Sequence, residues 1–240
     1  MVPQRHLLTA QWQHLAMLNY EIVPERLTPF VPRGTELDFF QGKTYVSVVG
    51  FRFLQTRVLG IAFPWHCNFE EVNLRFYVRR NVDGAMRRGV CFIKELVPRL
   101  AIAKLARWIY NENYQSLPMK YHLTSSAEKP PTLSYQWKLD NRWQGLTLVA
   151  ADALQTPHPE SLEAFISEHY WGYTTQRDGG TVEYQVQHPP WKIWPTTEAT
   201  LNCSVASLYG EPFVEPLRHV SSAFLADGSA VSVSRPRRIC

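Results

Sequence analysis

Several groups able to do chemistry fall on one side of a single stretch, Phe69 to Val78, which reads FEEVNLRFYV. Side chains of a strand alternate between two faces. Glu71, Asn73, Arg75 and Tyr77 then share a face with Phe69, while Val72, Leu74, Phe76 and Val78 share the other. A carboxyl, an amide, a guanidinium and a phenol framed by apolar walls are the parts of a small-molecule pocket. Arg75 presents a fork suited to a carboxylate, and Glu71 supplies an acid–base group. The same pattern also fits a half-solvated strand whose Glu71 and Arg75 pair with each other or across strands. Lys94, in Phe92-Ile93-Lys94-Glu95, is an amine for base or imine chemistry if it points into a barrel, and a surface lysine if it emerges at a strand end. Glu112 and Tyr114, in NENY, follow a helix end, where loops carry function or merely stop the helix. His169 and Tyr173 supply a proton donor and a ring wall, or else belong to an aromatic core.

Those residues need a scaffold. The 240 residues are 45% hydrophobic and 13% aromatic, enough to bury a sizeable core, and 19% charged, too few for a disordered chain. Leu18, Tyr20 and Ile22 alternate like a strand, although the run from Trp12 also fits a helix. Tyr45 to Phe53 is rich in Val and Phe and predicts a buried strand. Asp83-Gly84 predicts a hairpin turn back into Gly89 to Leu96. After Pro98 the period changes, with Ile102, Leu105, Ala106 and Ile109 at helical spacing up to about Asn111. Three strands follow Pro118, and a second helix begins at Pro159 and covers Leu162, Phe165 and Ile166. VSSAFLADGSAVSV reads as two short strands around Asp227-Gly228. The sum is a mainly β (α+β) chain: one domain over residues 1–240, an antiparallel barrel or sandwich with two main helices packed outside.

Charge and motifs narrow the function. Lys and Arg total 25 against 21 Asp and Glu, a mild and scattered excess, and no nucleic-acid motif is present. No apolar run reaches the roughly 18 residues that span a bilayer, and the N-terminus lacks the order of a signal peptide. A cytoplasmic protein with no membrane partner is expected. Cys67, Cys91, Cys203 and Cys240 form no CxxC pair, and no His, Cys, Asp or Glu spacing suggests a metal. No cofactor is implied.

Four segments, taken in order, resemble the acetoacetate-decarboxylase-like superfamily. They are LNYEIVPERLTPFVPRGTELD, FEEVNLRFYV, RRGVCFIKELVPRLAIAKLARWIY and RHVSSAFLADGSAV. The likeness is closer to that superfamily's large bacterial branch of uncharacterised proteins, a domain of unknown function. That branch shows an acidic-Val-Asn-x-Arg-x-Tyr strand, here Glu71 to Tyr77, and a later Leu-Pro, here Leu117-Pro118. The resemblance implies a barrel-like fold around an enclosed pocket, and it is compatible with a homo-oligomer, since superfamily members assemble. The decarboxylase carries its Schiff-base lysine in a Pro-Lys-Lys motif, where the second lysine lowers the pKa of the first. Here the motif reads Pro118-Met119-Lys120, so Met119 stands at the nucleophile position and only Lys120 remains. A pocket acid expected on the strand Thr44 to Phe51 is also absent, while Glu71 matches a second one.

Three functions stay open in this order. The first is a barrel protein binding a small carboxylate or carbonyl ligand, with Glu71, Asn73, Arg75, Tyr77, Glu112, Tyr114, Met119, His169 and Tyr173 around it. The second is a lyase-type enzyme on a small keto acid, with Lys120 or Lys94 as the amine and Glu71 as the acid–base group. The third is a non-catalytic interaction protein.

Overall fold

The computed structural model describes residues 6–126, 129–151 and 153–240, and the side chains of 105–109 and 125–130 lie outside the description. The first elements are β1 (Leu8–Ile22), α1 (Pro24–Leu27), β2 (Glu36–Leu37), β3 (Thr44–Val58), β4 (Phe69–Val82) and β5 (Ala85–Val97). Next come α2 (Leu100–Tyr110), β6 (Tyr114–Ser116), β7 (Met119–Ser126), β8 (Lys129–Leu139), β9 (Arg142–Ala150) and α3 (Leu162–Ser167). The chain closes with β10 (Trp171–Thr175), β11 (Thr181–Gln187), β12 (Ile193–Asn202), α4 (Val205–Tyr209), β13 (Ser222–Val233) and β14 (Arg237–Arg238).

Seven strands pair in a ring, in the order β1, β3, β4, β5, β10, β11, β13 and back to β1. Val186 opposite Val233 and Gln187 opposite Ser232 join β11 to β13 and complete the circuit. Closure leaves the long strands no bare edge. One junction is parallel, β5 to β10 through Gly89 and Val90, so the sheet is mixed. From β13 a second sheet, β12-β9-β8-β7, folds over the outside of the ring.

The alternation of β4 explains both layers. Val72, Leu74, Phe76 and Val78 point out and pack with Val46 and Val48 of β3 against Tyr135, Trp137, Leu146 and Leu148 of the second sheet. Phe69 and Tyr77 point in and join Val49, Phe51 and Phe53 in an inner cluster. The helices pack onto that inner cluster through Ala103 of α2 and Phe165 and Ile166 of α3. Ser161 caps α3 by accepting a hydrogen bond from the Ala164 amide. Leu105, Ala106 and Ile109, expected on the apolar face of α2, fall among the undescribed side chains.

Asp83 and Gly84 both have positive φ, 51° and 82°, and join β4 to β5 as a two-residue hairpin turn. The second expected turn does not form. Asp227-Gly228 lies within one continuous strand, β13, where Gly228 crosses β1 so closely that a Cβ would lie 2.1 Å from the Trp12 carbonyl oxygen. The glycine serves a backbone crossing rather than a reversal. All four cysteines are free. Among the described residues no helix is long and apolar enough to cross a membrane.

Candidate functional site

The inner face of the ring encloses a chamber of about 100 Å³. Strand β4 brings Glu71, Asn73 and Arg75 to it, and each is at most 9% exposed. Glu112 and Tyr114 enter from the segment after α2, His169 from the segment after α3, and Tyr184 from β11.

Carboxyls gather on one side. Asn73 Nδ2 donates to Glu71 Oε1 at 3.1 Å. The Tyr114 hydroxyl donates to Glu71 Oε2 at 3.4 Å and is also hydrogen-bonded to the Glu95 carboxyl. Glu112 accepts from the Tyr184 hydroxyl and, at 3.2 Å, from Thr174 Oγ1. Burial raises Glu71 to about 8, and the charge of Glu112 adds to the rise. Burial, opposed by the bonds from Tyr184 and Thr174, brings Glu112 to about 7. Burial, and then the charges of Glu112 and Glu71, push Glu95 well above the usual carboxylate range. At neutral pH the cluster therefore holds protons that exposed carboxyls would have released.

Across the chamber the charge is positive. Arg75 Nε donates to the Tyr77 hydroxyl at 3.4 Å, and its Nη2 lies 3.9 Å from the Met17 sulfur. Among the described residues no carboxylate is in salt-bridge contact with this buried guanidinium. Behind it a chain of donors runs one way. Tyr77 meets Ser47 Oγ at 2.6 Å, Ser47 donates to Asn19 Oδ1 at 2.6 Å, and Asn19 Nδ2 donates to Ser222 Oγ at 3.0 Å. Accepting from Arg75 leaves the Tyr77 hydrogen for Ser47, so every member is satisfied in one arrangement. Tyr77 thus holds Arg75 from behind.

His169 Nε2 lies 3.1 Å from Asp38 Oδ2, which also accepts from Arg88 Nε at 2.7 Å. Burial works to raise Asp38, but the bonds from His169 and Arg88 outweigh it and hold the carboxyl below its usual value. Burial lowers His169 to about 4 despite that bond, so the neutral ring donates from Nε2 and keeps a bare lone pair on Nδ1. His188 lines the chamber beside Trp191, with ring centroids 4.0 Å apart and stacked, and burial lowers it to about 4.

Besides Tyr77, which stands behind Arg75 and not in the chamber lining, four expected site residues lie elsewhere. Lys94 pairs with Leu74 on the outer side, because a β-bulge in β5 shifts the alternation: Arg75 faces Phe92, Leu74 faces Lys94, and Ile93 is the extra residue. The same bulge turns Glu95 inward, a residue that strict alternation from Phe92 would place outside. Glu95 thereby supplies an interior acid from β5, while the inner positions Val49, Phe51 and Phe53 of β3 are apolar. Met119 and Lys120 leave the ring after Pro118 to start the second sheet. Met119 packs on the outer core, and exposed Lys120 stands 4.2 Å over the Trp143 ring. Tyr173 also belongs to the outer core. Among the described residues no lysine lines the chamber, and no group of His, Cys, Asp or Glu is arranged to hold a metal.

Known proteins resemble this arrangement as a fold. An acetoacetate decarboxylase from Legionella pneumophila superposes with a TM-score of 0.66 over 97% of this chain and 87% of its own, at 13% identity. The enduracididine biosynthesis enzyme MppR, complexed with pyruvate, gives 0.66 over 96% and 90%, also at 13% identity. The uncharacterized protein YqjF of Bacillus subtilis is 26% identical over 222 residues, 89% of this chain and 86% of that protein. The chain, matched from residue 9 to residue 230, belongs to the DUF2071 family, described as an uncharacterized conserved protein, and carries its sequence on an acetoacetate-decarboxylase-like fold.

Proposed function

We propose that the protein binds a small carboxylate or carbonyl compound inside the strand ring. One observation carries this reading. Trp12 Nε1, Asn73 Oδ1, Glu95 Oε2, Tyr110 Oη and His169 Nδ1 are buried without a hydrogen-bond partner, and all five belong to residues around the chamber. Each such atom costs about 1–3 kcal/mol if nothing meets it. A ligand with both donors and acceptors removes that cost. A carboxylate matches the Arg75 guanidinium, whose described contacts, with Tyr77 and Met17, include no anion, and protonated Glu71 or Glu95 can donate to a carbonyl oxygen. Pyruvate, held by a protein of the same fold, is a compound of this type.

A second reading is an enzyme that moves protons without an imine. Glu71 at about 8 and Glu112 at about 7 lie where general acids and bases work near neutral pH. The imine version finds no amine in the chamber among the described residues, since Lys94 and Lys120 are both outside it.

Thermal-shift and native mass-spectrometry measurements with pyruvate, acetoacetate and short carboxylates test the binding. Stabilisation by at least one acid, abolished in Arg75→Met, is expected, and borohydride should trap no lysine adduct. No stabilisation by any member of the panel overturns the reading. An adduct on Lys94 or Lys120 overturns the exclusion of imine chemistry.

A further inference from the structure

The chamber has a larger neighbour. A space of about 410 Å³ shares Leu8, Phe53, Glu71, Tyr110 and Tyr114 with it, so the two abut at the Glu71 carboxyl. The rest of this outer space is mostly apolar, with Leu7, Val58, Phe63, Phe69 and Ile102 in its walls beside Thr56 and His66, and among the described residues no Arg, Lys or Asp lines it. Phe63, 48% exposed, and exposed Ala101 place its opening toward solvent. Phe63 belongs to the connection 59–68, which also exposes Leu59, Ile61 and Trp65 and brings His66 to the same space.

The sizes differ in a useful way. At about 30 Å³ per small heavy-atom group, 100 Å³ takes about three such groups, a carboxylate or a ketone, and 410 Å³ about fourteen, room for a chain of roughly ten carbons with the mouth left to water. Four of the residues with unpartnered polar atoms, Trp12, Asn73, Glu95 and His169, line the small space alone, whereas the large one has Thr56 Oγ1, shares Tyr110 and is otherwise walled mainly by apolar side chains. We infer that the ligand is amphipathic, a medium-chain carboxylic or oxo acid with its head in the chamber at Arg75 and Glu71 and its apolar chain in the outer space. This inference rests on the binding reading above and adds the part of the ligand that the chamber cannot hold. Glu71 stands where head and chain meet, and its neutral form suits that position, because a carboxylate there would face the chain.

The test is a chain-length series with one head group. Straight-chain carboxylates of two to twelve carbons, each below its micelle concentration, are titrated by calorimetry against the full chain. Burial of each added methylene is expected to tighten binding two- to fourfold until about ten carbons, and then the gain should stop. In Phe63→Glu, a substitution at an exposed position, the ten-carbon acid should lose at least fivefold relative to the two-carbon acid. Binding of short acids with no dependence on chain length overturns this inference and leaves the head-group reading intact. Failure of every acid to bind overturns both. An undiminished chain-length gain in Phe63→Glu places the chain elsewhere and overturns the assignment of the outer space.

Discussion

The two faces of β4 are both hidden from water and differently packed. Outside, Val72, Leu74, Phe76 and Val78 are at most 1% exposed and meet a second sheet that fills the space against them. Inside, Glu71, Asn73 and Arg75 are nearly as inaccessible, yet they surround a space that no described side chain fills. The outer core is not free of lone polar atoms: the hydroxyls of Tyr20, Tyr173 and Tyr209 and the Trp137 N–H lack partners. Each is a single polar tip on a large ring, and burial pushes the three phenols upward, so all stay neutral at physiological pH. Trp12 Nε1 and Tyr110 Oη on the inside are tips of the same kind, but the chamber also holds carboxyls, a guanidinium and imidazoles, whose charge is expensive to bury. One strand thus seals a packed core on one side and leaves ionisable groups around a hollow on the other.

Truncation on the filled side should have the largest effect. Leu74→Ala removes a side chain at 0% exposure and is expected to cost about 3 kcal/mol in denaturant unfolding. A loss below about 1 kcal/mol would show the outer face to be as loosely packed as the inner one.

The inner face should answer to pH instead. The folded-state pKa of Glu71 is raised from 4.5 to about 8, so its proton favours the folded state at low pH, and that stability is lost as pH rises from about 4.5 to about 8. His169 and His188, lowered to about 4, act oppositely, and their contribution is lost as pH falls from 6.5 toward 4. Glu71→Gln keeps the shape without the titration. The variant should match the parent near pH 5 and exceed it near pH 9 by on the order of 2 kcal/mol, after allowance for relaxation around the charge. Parallel pH profiles in unfolding experiments would mean that this carboxyl is not held neutral.

The smallest effect is expected away from both faces. Lys120→Met removes only the contact with Trp143 and should change stability by less than about 1 kcal/mol. Loss of ligand binding in that variant would return the lysine to the site.

Much of this division was readable in the sequence, because period-two alternation is local. Val72 to Val78 and Glu71 to Tyr77 separate on inspection, and Asp83-Gly84 announces the hairpin by its conformational needs. The Glu95 position was not readable, since nothing in Phe92-Ile93-Lys94-Glu95 marks the bulge. Nor was the displacement of Met119 and Lys120, which depends on where the chain leaves the ring. The contacts of Glu112 with Tyr184 and of Asp38 with His169 span 72 and 131 residues and arise only on closure. His188, before Pro189-Pro190, reads as a turn residue until Trp191 stacks on it.

The unpaired Ile93 has one more implication. With Phe92 held inside, a regular strand of the same four residues would turn an amine inward and a carboxyl outward. Backbone slippage, rather than any exchange of side chains, thus selects between two chemistries for the interior. Relatives aligned letter by letter across this segment would be assigned the wrong lining wherever one strand is kinked and the other straight.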